Sequence, residues 1–324
     1  MLTAYAHRNQ HLEELAQDDP ADPVWIDLIE PSPAESGAVE KRLDLTLPTL
    51  ADMQEIELSS RLYEEDGARF MTLIALFGLD TDEPVRTPVT FALKNGILVT
   101  QRYADIKTFI GYKKRATRSK AGPCDSGGLV MLGLLESMID RLADALEQIA
   151  SEIDLLSREV FRNRRGREKA KERDLEGLIG RIGRQGELIN MIQESMVSLS
   201  RVVTYLSATE TDERKVSRES RQRVKMMQRD ATSLGEHAIF LSDKITFLLD
   251  ATLGLITLEQ NKIIKIFSIV SVFFMPPTMI ASIYGMNFER MPELQWAAGY
   301  PYALGLMALF AVLPFLFFKG KGWM

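Results

Sequence analysis

Apolar positions follow three successive rhythms along the 324-residue chain. In the first 120 residues, short apolar runs alternate with turn-forming residues. Segments 24–29, 69–77, 89–93 and 96–101 are rich in β-branched and aromatic residues and read as strands. Asn95-Gly96 between the last two is a hairpin turn signal. PSPAESGAVEKRLDL and PTLADMQEIELSSRL read as short capped helices. Residues 120–128, KAGPCDSGG, form a linker by their Gly, Pro and Ser content.

The period then becomes helical. Leu135, Met138, Leu142, Leu146, Ile149 and Ile153 step by three and four, and so do Leu178, Ile182, Ile189, Ile192 and Met196. A third series contains Met227, Ala231, Leu234, Ala238, Leu241 and Ile245. Sustained heptads of this kind predict long helices packed as coiled coils. The third helix is expected to start near Thr211-Asp212, a plausible cap, and to meet no proline until Pro276. Such a helix would extend roughly 105 Å at ~1.5 Å per residue.

The third rhythm is continuous apolarity. Residues 263–284 carry one charge, Lys265, and residues 297–318 carry none. Each run meets the roughly 20 residues needed to cross a bilayer. The short connection 285–296 makes them a hairpin. Lys262, Lys265, Lys319 and Lys321 flank it on one side, so both termini are expected in the cytoplasm.

The predicted division is an α+β cytosolic domain over 1–122, a helical hairpin over 128–210 and a stalk helix over 211–284. The external loop 285–296, the second span 297–318 and a basic tail 319–324 follow.

Composition narrows the functional classes. Apolar residues make up 46%, charged residues 26%, and the net charge is −6, which speaks against nucleic acid as a partner. The single cysteine, Cys124, excludes an intramolecular disulfide and suits a reducing compartment. No Ser/His/Asp arrangement and no His/Glu cluster at metal spacing is present, so no enzyme active site and no cofactor are expected. The Arg- and Lys-rich segment 161–174 reads as a solvated turn that could face anionic headgroups.

A polar stripe marks the third helix. Asp243, Asp250, Gly254, Thr257, Asn261, Ile264, Ser268, Ser271, Met275 and Thr278 recur at intervals of three, four or seven. Small and hydroxyl residues at this spacing serve close helix packing or line a pore. Acids at the start of the stripe and a polar mouth at its end favour the pore. Two spans enclose no channel alone, so a symmetric oligomer with the lipid bilayer as its setting is implied.

The mouth reads Gly285-Met286-Asn287, followed by Met-Pro-Glu-Leu and a KGKGW tail. With two C-terminal spans, these features resemble the CorA family of divalent-cation channels. The resemblance implies a funnel-shaped homopentamer in a bacterial-type inner membrane, with Mg²⁺ as substrate and Co²⁺ and Ni²⁺ also accepted. It implies a filter at Gly285, Met286 and Asn287, with Glu289 and Glu293 collecting cations outside it. The pore-lining set would be Asn261, Ile264, Ser268, Ser271, Met275 and Thr278. Cytosolic Mg²⁺ would also act as a regulatory ligand. Asp243 and Asp250, with Glu236 a heptad earlier, are candidate sensors; Glu64, Glu65 and Asp66 are the alternative. Two rival readings are a Zn²⁺ transporter of the same superfamily and a membrane-anchored coiled-coil scaffold without transport.

Overall fold

A computed structural model describes residues 1–16, 19, 21–55, 57–81, 83–118, 123–161, 174–212, 218–287 and 291–321. They divide into two compact units, Met1–Leu249 and Asp250–Met324.

The first unit opens with β1 (Leu2–Arg8), β2 (His11–Glu14) and β3 (Trp25–Ile29). Helices α1 (Pro33–Leu43), α2 (Leu50–Gln54) and α3 (Leu58–Arg61) come next. Strands β4 (Leu62–Glu65), β5 (Ala68–Phe77), β6 (Val85–Lys94) and β7 (Ile97–Arg102) complete one sheet in the order β2-β1-β3-β7-β6-β5-β4. All neighbours are antiparallel except β3 and β7. The four expected strands are present, and β1, β2 and β4 extend the sheet at its edges.

Local chemistry fixes these elements. Asn95 and Gly96 both take positive φ, 51° and 80°, and close the β6–β7 hairpin with Lys94 opposite Ile97. Ser32 and Thr49 each accept a backbone N–H from the third residue of their helix, whose carboxylate reaches back to the cap. One face of the sheet buries Ile26, Leu28, Phe70, Ala92 and Val99 against Val39 and Leu43 of α1.

The parallel β3–β7 pair holds a buried ion pair. Arg102 donates to Asp27 at 2.8 and 3.1 Å, and both side chains are almost fully covered. Thr100 donates to Asp27 at 2.8 Å and accepts from the Trp25 indole at 2.9 Å. Each buried polar group therefore has a partner of the opposite kind.

Four helices follow the sheet: α4 (Lys107–Ala116), α5 (Gly127–Phe161), α6 (Leu175–Asp212) and α7 (Arg218–Tyr284). A Cβ on Gly127 would collide with the Leu98 backbone N, so only glycine lets α5 start this close to β7. Arg181, early in α6, pairs with Glu152 and Glu159, late in α5, and the two helices run antiparallel. Beyond the short β4, the outer edge of β5 is covered by α6. Ser195 donates to the Ile74 carbonyl at 2.7 Å and Ser198 accepts from the Ile74 N–H at 3.0 Å.

One boundary differs from expectation. Thr211 and Asp212 end α6, and α7 begins at Arg218. A capping residue marks a break in a helical pattern, and here it lies on the near side of that break.

The second unit contains the end of α7, a 3₁₀ turn (Pro292–Gln295) and α8 (Gly299–Gly320). α7 and α8 are each long and apolar enough to cross a membrane. Pro276 and Pro277 lie inside α7, and the helix continues through them.

Candidate ion path and its mouth

Among the described residues, α7 touches α8 through Phe273. Phe273 packs against Phe315 with ring centroids 6.1 Å apart. The half-buried positions Ile269, Phe273, Pro276, Pro277, Ile280 and Tyr284 fall within roughly 100° of one another at ~100° per residue. Asn261, Ile264, Ser268, Ser271, Met275 and Thr278 fall within about 100° on the opposite side, roughly 160° away. All six are exposed in the single chain. Ile264 is 60% exposed and Met275 69%, and residues outside the stripe such as Phe267 and Phe274, at 69% each, are as open.

The hydroxyls of this stripe are tied to their own helix. Ser268 donates to the Ile264 carbonyl at 2.8 Å, Ser271 to Phe267 at 2.9 Å and Thr278 to Phe274 at 2.7 Å. Such back-bonding satisfies the proton within hydrocarbon.

Gly285 ends the helix. Its N–H bonds to the Ala281 carbonyl at 2.9 Å, and the Met286 N–H reaches Ile283 at 3.3 Å. A Cβ at Gly285 would sit 3.1 Å from the Ala281 carbonyl oxygen, so glycine keeps this last turn tight. Met286 and Asn287 follow, both exposed. Glu289 lies outside the described residues, as does the segment 162–173 that includes most of the basic turn. Glu293 lies in the 3₁₀ turn. Trp296 and Tyr302 pack with ring centroids 5.7 Å apart beyond it.

At the other end of α8, Lys319 sits over the Phe315 ring at 5.9 Å and Lys321 over Phe317 at 6.0 Å. The ammonium groups stay at one end of the span while their stems cover apolar rings.

Asp243, Asp250 and Glu236 are exposed on α7. Among the described residues no three His, Cys, Asp or Glu side chains come together as a metal site.

One feature escaped the sequence pattern. Arg223 of α7 donates to Glu136 of α5 at 2.8 and 2.7 Å beside a cavity that also reaches the end of α4. These residues lie far apart along the chain, and no local spacing joins them.

Residues 20–319 match the family model described as "CorA-like Mg2+ transporter protein". The chain belongs to the CorA family. The magnesium transport protein CorA of Escherichia coli K12 is 34% identical over 327 residues, covering all of both chains. CorA of Pectobacterium atrosepticum is 35% identical over 329 residues with the same coverage. The complete CorA magnesium transporter structure from Methanocaldococcus jannaschii superposes with a TM-score of 0.76 at 20% identity, covering 100% of this chain and 99% of that one. The ZntB cytoplasmic domain from Vibrio parahaemolyticus shares the fold over 78% of this chain, with a TM-score of 0.57. The CorA fold thus accounts for both the sheet unit and the helical pair.

Proposed function

We propose that this chain transports Mg²⁺ across a bacterial inner membrane as a homopentameric channel. The observation that carries the reading is the placement of Gly285-Met286-Asn287 at the end of α7, continuous with a polar stripe that α8 leaves uncovered. Five copies with that stripe inward would enclose a path, and α8 would form the outer ring.

Mg²⁺ dehydrates reluctantly. A ring of Asn287 carboxamides and backbone carbonyls would hold the ion through its waters, and would also admit hydrated Co²⁺ and Ni²⁺. Glu289 and Glu293 would raise the cation concentration outside. Ile264 and Met275 would narrow the path with apolar rings that close by dewetting. Membrane potential suffices as the driving force, since a divalent ion gains about 4–5 kcal/mol per ~100 mV. With the lysines at 262, 265, 319 and 321 inside, both termini are cytoplasmic.

Gating would use cytosolic Mg²⁺. Asp243 and Asp250 lie one heptad apart on α7, so a pentamer stacks them as acidic rings whose repulsion a bound divalent ion relieves. Metal would favour the closed, symmetric arrangement.

The test is ion flux into proteoliposomes carrying the purified protein. Mg²⁺ entry blocked by cobalt hexammine, a mimic of the hydrated ion, is expected. Zn²⁺ entry without Mg²⁺ entry would assign the chain to zinc transport, and no flux of either ion would leave a scaffold.

A further inference from the structure

Within the Met1–Leu249 unit, the end of α4, one face of α5 and the early turns of α7 frame a cavity of about 450 Å³. Tyr112, Arg115 and Arg118 line it from the α4 side, Glu136 and Asp140 from α5, and Arg223 from α7. A Cβ on Gly133 would collide with the Tyr112 ring, so this glycine lets the tyrosine lie flat against α5.

The wall has donors left over. Both oxygens of Glu136 are taken by Nε and Nη2 of Arg223. The Ser137 hydroxyl accepts from Arg115 and passes its own proton to the Gly133 carbonyl at 2.7 Å. Nη1 of Arg223 is buried and finds no acceptor among the described residues. The Arg118 side chain, at the exposed rim, makes no ion pair or hydrogen bond among them. Buried donors without acceptors are rare in folded proteins, and each calls for an explanation.

Three guanidiniums and two carboxylates line the wall, with Asp144 and Asp230 close to Asp140 and Glu219 close to Arg223, and the donors left over belong to the guanidiniums. They approach from two elements and from different directions, which suits a tetrahedral oxyanion better than a planar carboxylate that one fork can satisfy. The volume exceeds that of a phosphate ion and lies within the range of small-molecule sites. Tyr112 and Pro123 offer apolar surface for an organic remainder.

We propose that this cavity binds a phosphate group, free or carried by a phosphomonoester, through Arg223 Nη1, Arg118 and Arg115. Burial pushes the Asp140 carboxyl up, the Arg115 guanidinium opposes this, and the neighbouring Glu136, Asp144 and Asp230 add to the rise. The bound group would tie α4 and α5 to the early turns of α7. It is separate from the ion path and does not depend on that reading.

The test is calorimetric titration of the full-length protein in detergent with inorganic phosphate, adenosine 5′-monophosphate and adenosine, in a phosphate-free buffer. Phosphate and the monophosphate are expected to bind and adenosine is not. Equal affinities would identify free phosphate as the ligand, and a tighter monophosphate would identify the ester. Arg118→Gln, at a rim position whose side chain pairs with nothing among the described residues, should weaken binding roughly ten- to hundredfold while melting like the parent. Arg223→Lys, which keeps the charge and loses Nη1, should weaken it as well. No binding of either phosphate at millimolar concentration overturns the proposal and leaves water as the partner of Nη1. Equal binding of adenosine, or unchanged affinity in Arg118→Gln, overturns it too.

Discussion

Phe273 of α7 rests on Phe315 of α8, and Met275, two residues further along, points to the far side of the same helix. α8 therefore touches α7 on the face of Phe273, and the polar stripe lies on another face. Single cysteines test this arrangement, because the native Cys124 is buried. In proteoliposomes, Ser271→Cys and Met275→Cys should react with a small cationic thiol reagent, and Phe273→Cys should not. Equal labelling at all three positions would remove the stripe from the path.

In the proposed channel, Asn287 supplies the neutral oxygen of the mouth. Asn287→Ala should abolish Mg²⁺ uptake while the oligomer keeps its size in detergent. Flux close to that of the parent would refute selection of the hydrated ion at this side chain.

Asp243 and Asp250 carry the gating reading. With both replaced by Asn, current should persist at internal Mg²⁺ concentrations that close the parent channel. Inhibition that does not change would move the sensor to the sheet unit, where Glu64 and Glu65 end β4 and Asp66 opens the turn to β5.

The buried Asp27–Arg102 pair sets a stability test. Arg102→Met leaves a carboxylate in a nearly closed site, with a cost of about 3–5 kcal/mol. Asp27→Asn with Arg102→Met removes both charges and should regain much of the loss. Thermal unfolding of the three proteins decides it, and a double variant no better than the single one would refute the mechanism.

Glu35 gives a signed pH dependence. The Ser32 backbone N–H, first, and then the Met1 amine hold its carboxyl down to about 2 from 4.5. A depressed folded value adds stability above the unfolded pKa, and that stability is lost as pH falls from about 4.5 toward about 2. Glu35→Gln should flatten this part of the stability profile. An unchanged acid slope would show that the contact contributes nothing.

Much of this fold is legible in the residues themselves. The β6–β7 hairpin follows from Asn95-Gly96, since both take the positive φ that the turn requires. α1 and α2 follow from the Ser32 and Thr49 boxes. The two spans follow from uninterrupted apolarity. β1 and β2 are hidden because His7, Arg8, His11 and Glu13 break the alternation, and the pairing of β1 with β3 and of β2 with β1 outweighs that local signal. The stripe could be read from spacing, but its orientation away from α8 depends on Phe273 meeting Phe315. The Arg223 cavity was out of reach, because Arg115, Glu136 and Arg223 are brought together only by three packed helices.

The hydroxyl bonds along α7 have a further consequence. Ser268, Ser271 and Thr278 each spend their one proton on a carbonyl of the preceding turn. What they turn outward is lone pairs alone. Water held by a cation presents its hydrogens outward and meets acceptors along such a surface. Water around an anion presents oxygen and would find no donor there. In the proposed channel, a wall of this kind would distinguish the sign of a passing ion by the orientation of its water, without a single formal charge between Lys265 and Asn287.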